Sequence, residues 1–218
     1  MLGTTCMKNP DLTVAVLAGG NSERFKSDKA LAVFRGRPLL THMIGIARQI
    51  SPQTLVVVSS DQQAESLKSV VGENELAVDP DDAVRCALTG AVTAFEFCKT
   101  QHILLLPVDT PLANVRLLQM LVDLRKGHEA VVPSWPSGNV EPLHSVYLSE
   151  HAYSSGLRVL DQGKHRMQDL LDALRNVLYV STLVLKTIDP ELKTFVNFNT
   201  EAELRRLEAS KSSTDRAN

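Results

Sequence analysis

The sequence predicts an α/β fold: a mostly parallel sheet covered by helices on both faces. Three observations predict it. Apolar runs of strand length alternate with longer amphipathic runs of helical period. The strand-like runs are continuously apolar, as in strands buried on both faces. No Pro/Gly/Ser stretch is long enough to divide the 218 residues, a length that fits one α/β domain.

Thr13–Leu17 reads as the first buried strand. Leu39–Ile50 has helical period, and Pro38 suits its first turn because that position needs no N–H donor. Leu55–Val58, continuous and β-branched, is a second strand, followed by a helix over Asp61–Val70. Leu76–Val78 is a short third strand and Val84–Cys98 is periodic as a helix. Ile103–Leu106 is a strand and Val115–Arg125 a helix. The second half is less regular. Ala130–Val132 and Leu143–Leu148 read as strands, Met167–Arg175 as a helix, Val177–Ser181 as a strand and Glu201–Leu207 as a helix. Residues 1–12 form a lead, 13–208 one domain and 209–218 a polar tail. There is no internal repeat.

Composition narrows the function classes. Apolar residues are 44% and charged residues 22%, a globular balance. The net charge of −2 argues against a general nucleic-acid binder. Cys6, Cys86 and Cys98 are odd in number and lack C-x-x-C spacing, which points to reduced thiols inside a cell. The six histidines lack the i, i+4 spacing of a helical metal site. No apolar run reaches membrane-spanning length, and residues 1–10 carry no apolar signal segment, so the expected location is cytoplasmic with no membrane partner.

Parallel sheets of this kind bind ligands at the carboxyl ends of their strands. The residues following Leu17, Val78 and Leu106 are therefore expected around one crevice. Ala18, Gly19 and Gly20 open the first of these segments, and Arg24, Lys26 and Lys29 follow within ten residues of Gly19. Paired glycines let a backbone approach a ligand and adopt positive φ, and turn N–H groups can cradle phosphate oxygens. The cations suit a triphosphate. The same residues also suit an ordinary strand-to-helix turn with solvated charges. The segment lacks the remaining glycines of G-x-G-x-x-G and the Gly-Lys-Ser/Thr of a P-loop.

The next segment is Pro107-Val108-Asp109-Thr110-Pro111. Its carboxylate, held between prolines at a strand end, suits Mg²⁺, which takes one or two carboxylates plus substrate phosphates. Alternatively, Asp109 caps a helix starting near Ala113. Asp79, at the end of the third strand, can accept from a ribose hydroxyl or a guanine N–H edge. Asn197 and Asn199 alternate with apolar residues in Phe195-Val196-Asn197-Phe198-Asn199 and are expected on one face. There Asn199 or Thr200 can also act as a helix cap.

Together these segments resemble the molybdenum cofactor guanylyltransferase family (MobA type), within the Gly-rich nucleotidyltransferase superfamily, from about Val14 to Leu207. Leu17-Ala18-Gly19-Gly20 with Arg24 and Asp28-Lys29, and Pro107-Val108-Asp109-Thr110-Pro111, are superfamily features. Glu141-Pro142-Leu143-His144-Ser145-Val146-Tyr147, the Asp169-Leu170-Leu171 helix and Phe195–Thr200 look like the molybdopterin-directed branch. The resemblance implies a three-layer, Rossmann-like nucleotidyltransferase fold with a mixed sheet. It also implies GMP transfer from GTP to molybdopterin, with Mg²⁺ as cofactor and other molybdenum cofactor biosynthesis proteins as possible partners. Leu17, Ala18, Gly19, Gly20 and Lys29 would bind nucleotide, Asp79 guanosine, and Asp109 both Mg²⁺ and nucleotide. Arg24, Lys29 and Asp109 would carry catalysis, and Asn197 and Asn199 would lie near the acceptor. Lys26-Ser27, Ser59-Ser60 and Ala87-Leu88-Thr89-Gly90 depart from the family pattern. The alternatives are CTP with molybdopterin, a sugar phosphate or phosphocobinamide as acceptor, and a non-catalytic nucleotide-binding protein.

Overall fold

The structure, a computed structural model, describes residues 9–19, 28–72, 74–200 and 202–206. Gly20, Arg24, Lys26, Cys6 and the expected tail at 209–218 lie outside the described residues.

In chain order the elements are β1 (Leu12–Leu17), β2 (Val33–Phe34), β3 (Arg37–Pro38), α1 (Leu39–Ile50), β4 (Gln53–Val58), α2 (Asp61–Val71), β5 (Glu75–Val78) and α3 (Ala87–Glu96). There follow β6 (His102–Pro107), α4 (Val115–Asp123), β7 (Ala130–Ser134), β8 (Val146–Leu148), α5 (Ser149–Asp161), α6 (Met167–Ala173), β9 (Val177–Ser181) and α7 (Thr182–Leu185). Among the described residues, seven strands form one sheet in the order β5-β4-β1-β6-β8-β7-β9. β8 runs antiparallel to β6 and β7, and the other pairings in this sheet are parallel. This is the mixed, mostly parallel sheet the sequence predicts.

Side chains on a strand point alternately to its two faces, and β1 uses both. Val14 and Val16 pack into one core with α1, α2 and α4, while Ala15 and Leu17 pack into a second with α3, α5 and α6. β6 divides the same way, Leu104 and Leu106 against Ile103 and Leu105. A continuous apolar run is thus what a strand between two helical layers requires, and three layers result.

Several boundaries differ from the sequence expectation. Helix α3 begins at Ala87, because Val84 is 54% exposed and its carbonyl accepts from the Thr89 hydroxyl at 2.6 Å. The expected strand Leu143–Leu148 is a 3-10 turn, Pro142–His144, followed by the shorter β8. Helix α6 ends at Ala173 rather than Arg175. Helix α5 has no counterpart in the sequence reading. Its buried face includes Ala152, Ser155 and Gly156, too small and polar to stand out as an apolar stripe. A Cβ on Gly156 would lie 2.6 Å from Val92 Cγ2, so the glycine sets how closely α5 approaches α3. The β2–β3 hairpin likewise has no counterpart there. Its Arg35-Gly36 turn has φ of 49° and 74°, the positive pair of a type I′ turn. Among the described residues no helix is long and apolar enough to cross a membrane.

Candidate active site

β1 pairs in parallel with β4 on one side and β6 on the other, so the strand order reverses around it. The carboxyl ends of β1, β4 and β6 meet at this switch point, where such sheets bind ligands. Val108 N donates to Leu17 O at 3.1 Å, fixing the segment after β6 against the end of β1.

The amides of Ala18 and Gly19 both donate to Val57 O, at 2.8 and 3.1 Å. They serve the neighbouring strand. Leu17 and Ala18 are buried. Gly19 does not have positive φ. Its requirement is space: a Cβ there would lie 3.0 Å from Ser59 N and 3.3 Å from the Val58 carbonyl carbon. The glycine lets the β1 and β4 ends touch.

Lys29 and Asp109, 80 residues apart in sequence, form an ion pair with Nζ 2.6 Å from Oδ2. Lys29 also donates to Asn199 Oδ1 at 3.2 Å. The two charged side chains are 15% and 16% exposed, so the pair is reachable but shielded. Asn199 is brought there by its neighbour. Phe198 N donates to Asp109 O at 3.0 Å, and the Phe198 ring stacks on Phe34 with centroids 6.1 Å apart.

Helix capping is done elsewhere. Asn114 Oδ1 accepts from Arg116 N and Leu117 N and caps α4, leaving the Asp109 carboxylate to Lys29. Thr200 Oγ1 accepts from Glu203 N and caps the helical residues 202–206, leaving the Asn199 amide to Lys29. Residues 195–199 are not a strand, so the expected two-residue alternation fails: Val196 is 41% exposed and Asn197 is exposed as well. Asn199 joins the cluster; Asn197 lies in solvent.

Asp79 follows β5 and is half-buried. Burial raises its carboxyl pKa, opposed by a hydrogen bond from Thr93 and by the Arg85 charge. Thr93 Oγ1 donates to Asp79 Oδ1 at 2.7 Å. Gly90 lies beside the other oxygen: a Cβ there would make an ordinary van der Waals contact, 3.9 Å from Oδ2.

Behind Asp109, Thr110 Oγ1 meets His144 Nε2 at 3.3 Å. His144 is 3% exposed, and burial lowers its pKa to about 3, so it is neutral. Trp135 Nε1 donates to Glu141 Oε1 at 2.7 Å, and burial raises the Glu141 pKa. Trp135, Glu141 and His144 thus stand at the same sheet edge as Asp109. In the sequence Glu141 and His144 are visible only within a family motif, which implies no contact for them. Asp28 and Gln63 carry no functional signal there, yet both flank the cluster.

Among the described residues no group of three or more His, Cys, Asp or Glu side chains could hold a metal ion. Asp109 offers a hard carboxylate at the carboxyl edge of the sheet. A single carboxylate of this kind would suit a Mg²⁺ ion shared with substrate phosphates.

A family model described as a MobA-like NTP transferase domain matches residues 14–177. A probable molybdenum cofactor guanylyltransferase of Thermococcus kodakarensis is 31% identical over 201 residues, covering 88% of this chain and 92% of the relative. One from Methanosarcina mazei is 26% identical over 202 residues, covering 88% of each. The crystal structure of molybdopterin-guanine dinucleotide biosynthesis protein A from Archaeoglobus fulgidus superposes with a TM-score of 0.78 at 28% identity. The match covers 92% of this chain and 99% of that one.

Proposed function

This chain belongs to the MobA-like NTP transferase family, and we propose that it transfers GMP from GTP to the phosphate of molybdenum-bound molybdopterin in the cytoplasm. The observation that carries the reading is the Lys29–Asp109–Asn199 cluster at the carboxyl edge of the sheet. It joins the end of the Gly-rich segment, the strand-end carboxylate and the C-terminal amide in one place. The choice of GMP and of acceptor draws on the activity named for relatives that match along nearly their whole length.

An acceptor phosphate oxygen attacks the α-phosphorus of GTP. A new P–O bond forms, the α–β bridging P–O bond breaks, and pyrophosphate leaves with the bonding electrons. An acceptor monophosphate has a second pKa near 6 and is largely dianionic at neutral pH, so the step needs no general base. Catalysis rests on positioning and charge stabilisation.

In this reading the segment from Leu17 to Gly20 borders the nucleotide and Asp79 accepts from the guanosine. Lys29 exchanges Asp109 for phosphate oxygens and faces the charge that develops on the leaving group, with Arg24 assisting. Such a contact is worth on the order of 4 kcal/mol before desolvation. Asp109 is thereby freed to hold Mg²⁺, whose chemistry when bound is neutralisation of phosphate charge. Asn199 and Asn197 lie toward the acceptor. Other molybdenum cofactor biosynthesis proteins would supply the acceptor and receive the product.

Calorimetry with each of the four NTPs and Mg²⁺, followed by pyrophosphate release with purified molybdopterin, tests the proposal. GTP binding tightest and acceptor-dependent release are expected. Equal binding of all four would point to a cytidylyl or sugar-phosphate enzyme, and no binding to an interaction protein.

A further inference from the structure

Gln63 lies in the first turn of α2, outside every motif of the sequence reading, yet its side-chain amide is fully used. Oε1 accepts from Ser59 N at 2.8 Å and from Ser59 Oγ at 3.1 Å. Nε2 donates to Ala18 O at 3.1 Å and to Asp28 Oδ2 at 2.8 Å. A glutamine has two donor hydrogens and two acceptor lone pairs, and all four are satisfied here. The pattern also fixes the amide orientation, because reversing it would set a carbonyl oxygen against Ala18 O and the Asp28 carboxylate.

Two of these partners have functional neighbours. Ala18 immediately precedes the paired glycines, and Asp28 immediately precedes Lys29 at the far end of the segment. Asp28 Oδ1 accepts from Ala30 N at 2.9 Å and so caps the 3-10 turn that begins at Lys29. The third partner, Ser59, is the residue against which Gly19 packs. One NH₂ group therefore bridges both ends of the segment, while its oxygen anchors the bridge to the end of β4.

We propose that Gln63 is a positioning residue for the nucleotide phosphates: it clasps the two ends of the Gly-rich segment and, through Asp28, sets the turn that presents Lys29 to the site. It touches no reacting atom, and the proposal rests on the nucleotidyltransferase reading above. The clasp needs a donor facing two acceptors, so a glutamate at this position, nearly the same shape, keeps the Ser59 side and breaks the other.

The test compares wild type with Gln63→Glu, Asp28→Asn and the double variant, measuring GTP affinity, steady-state kinetics and Tm. Loss of a charge-assisted hydrogen bond should lower kcat/KM for GTP about 10–100-fold in each single variant. KM for the acceptor should stay within about twofold, which is below 0.5 kcal/mol. In the double variant the introduced asparagine supplies the donor that the introduced glutamate needs, and at least about tenfold of the loss should return. Should Gln63→Glu not fold, Gln63→Met removes the amide without adding charge and should show the same GTP-specific loss. Wild-type GTP affinity in either Gln63 variant would overturn the proposal, as would a loss that follows Tm, raises both KM values equally and ignores Asp28→Asn. If wild type prefers another NTP, the base assignment fails and the same comparison is made with that nucleotide. Binding of no NTP overturns both.

Discussion

Replacing Lys29 by alanine should separate two roles of one side chain. In the structure its Nζ lies 2.6 Å from Asp109 Oδ2, with both side chains about five-sixths shielded. Exposed pairs contribute about 0–1 kcal/mol and breaking a buried one costs about 3–5 kcal/mol, so this intermediate pair should cost about 1–3 kcal/mol of stability. For a domain of this size that corresponds to a Tm lowered by roughly 2–12 °C. The catalytic loss should be larger. Removing a cation that faces developing charge costs about 3–4 kcal/mol of transition-state stabilisation, or roughly 10²–10³-fold in rate. Lys29→Arg should recover only part, since a planar fork does not replace a compact ammonium. The double variant Lys29→Ala/Asp109→Ala should regain stability over Lys29→Ala, because no carboxylate is left unpaired, and should remain inactive. Pyrophosphate release with GTP and a thermal melt measure both. A folded Lys29→Ala enzyme within about threefold of wild type, a difference below 1 kcal/mol, would refute the assignment.

Asp109→Asn keeps the shape and should lose about 10²-fold or more of kcat at saturating Mg²⁺; full activity would remove Asp109 from the metal role. Asp79→Asn should weaken GTP binding about tenfold, roughly 1.4 kcal/mol, and narrow the GTP-to-ATP ratio by calorimetry; an unchanged ratio would place base recognition elsewhere. Gly19→Ala forces a methyl against Ser59 N and should cost about 1–3 kcal/mol, seen as a lower Tm together with weaker nucleotide binding. His144 has a folded pKa of about 3, below its ordinary 6.5, so the unfolded chain binds the extra proton first. Its contribution is present above pH 6.5 and is lost as pH falls toward 3, by at most about 1.4 kcal/mol per pH unit. His144→Leu should flatten the fall in Tm between pH 6.5 and 4.5, and an unaltered slope would show that other groups carry it.

Local pattern makes the sheet legible. Thr13–Leu17, Leu55–Val58 and Ile103–Leu106 are apolar runs of strand length, and each falls inside a strand of the structure. Helix α5 escapes such a reading because Ala152, Ser155 and Gly156 pack by being small, which leaves no apolar stripe. At the site, Lys29, Asp109 and Asn199 are each visible as a candidate, but their contacts span 80 and 170 residues and depend on strand order and on how Phe198 docks against Asp109 and Phe34. Gln63 gives no signal. A glutamine near a helix start is common on a surface, and its role depends on three loops meeting around it. Asn197 and Asn199 do not share a face, because a two-residue period does not apply to a segment that is not a strand.

Mass spectrometry of the product decides whether the enzyme transfers GMP to molybdopterin. The purified enzyme is incubated with Mg²⁺, α-labelled GTP and molybdenum-bound molybdopterin. A guanine dinucleotide form of the acceptor, carrying the label and formed one-for-one with pyrophosphate, is expected. Label left on free nucleotide despite a folded enzyme and a competent acceptor, or a dinucleotide formed equally well from CTP, would contradict it.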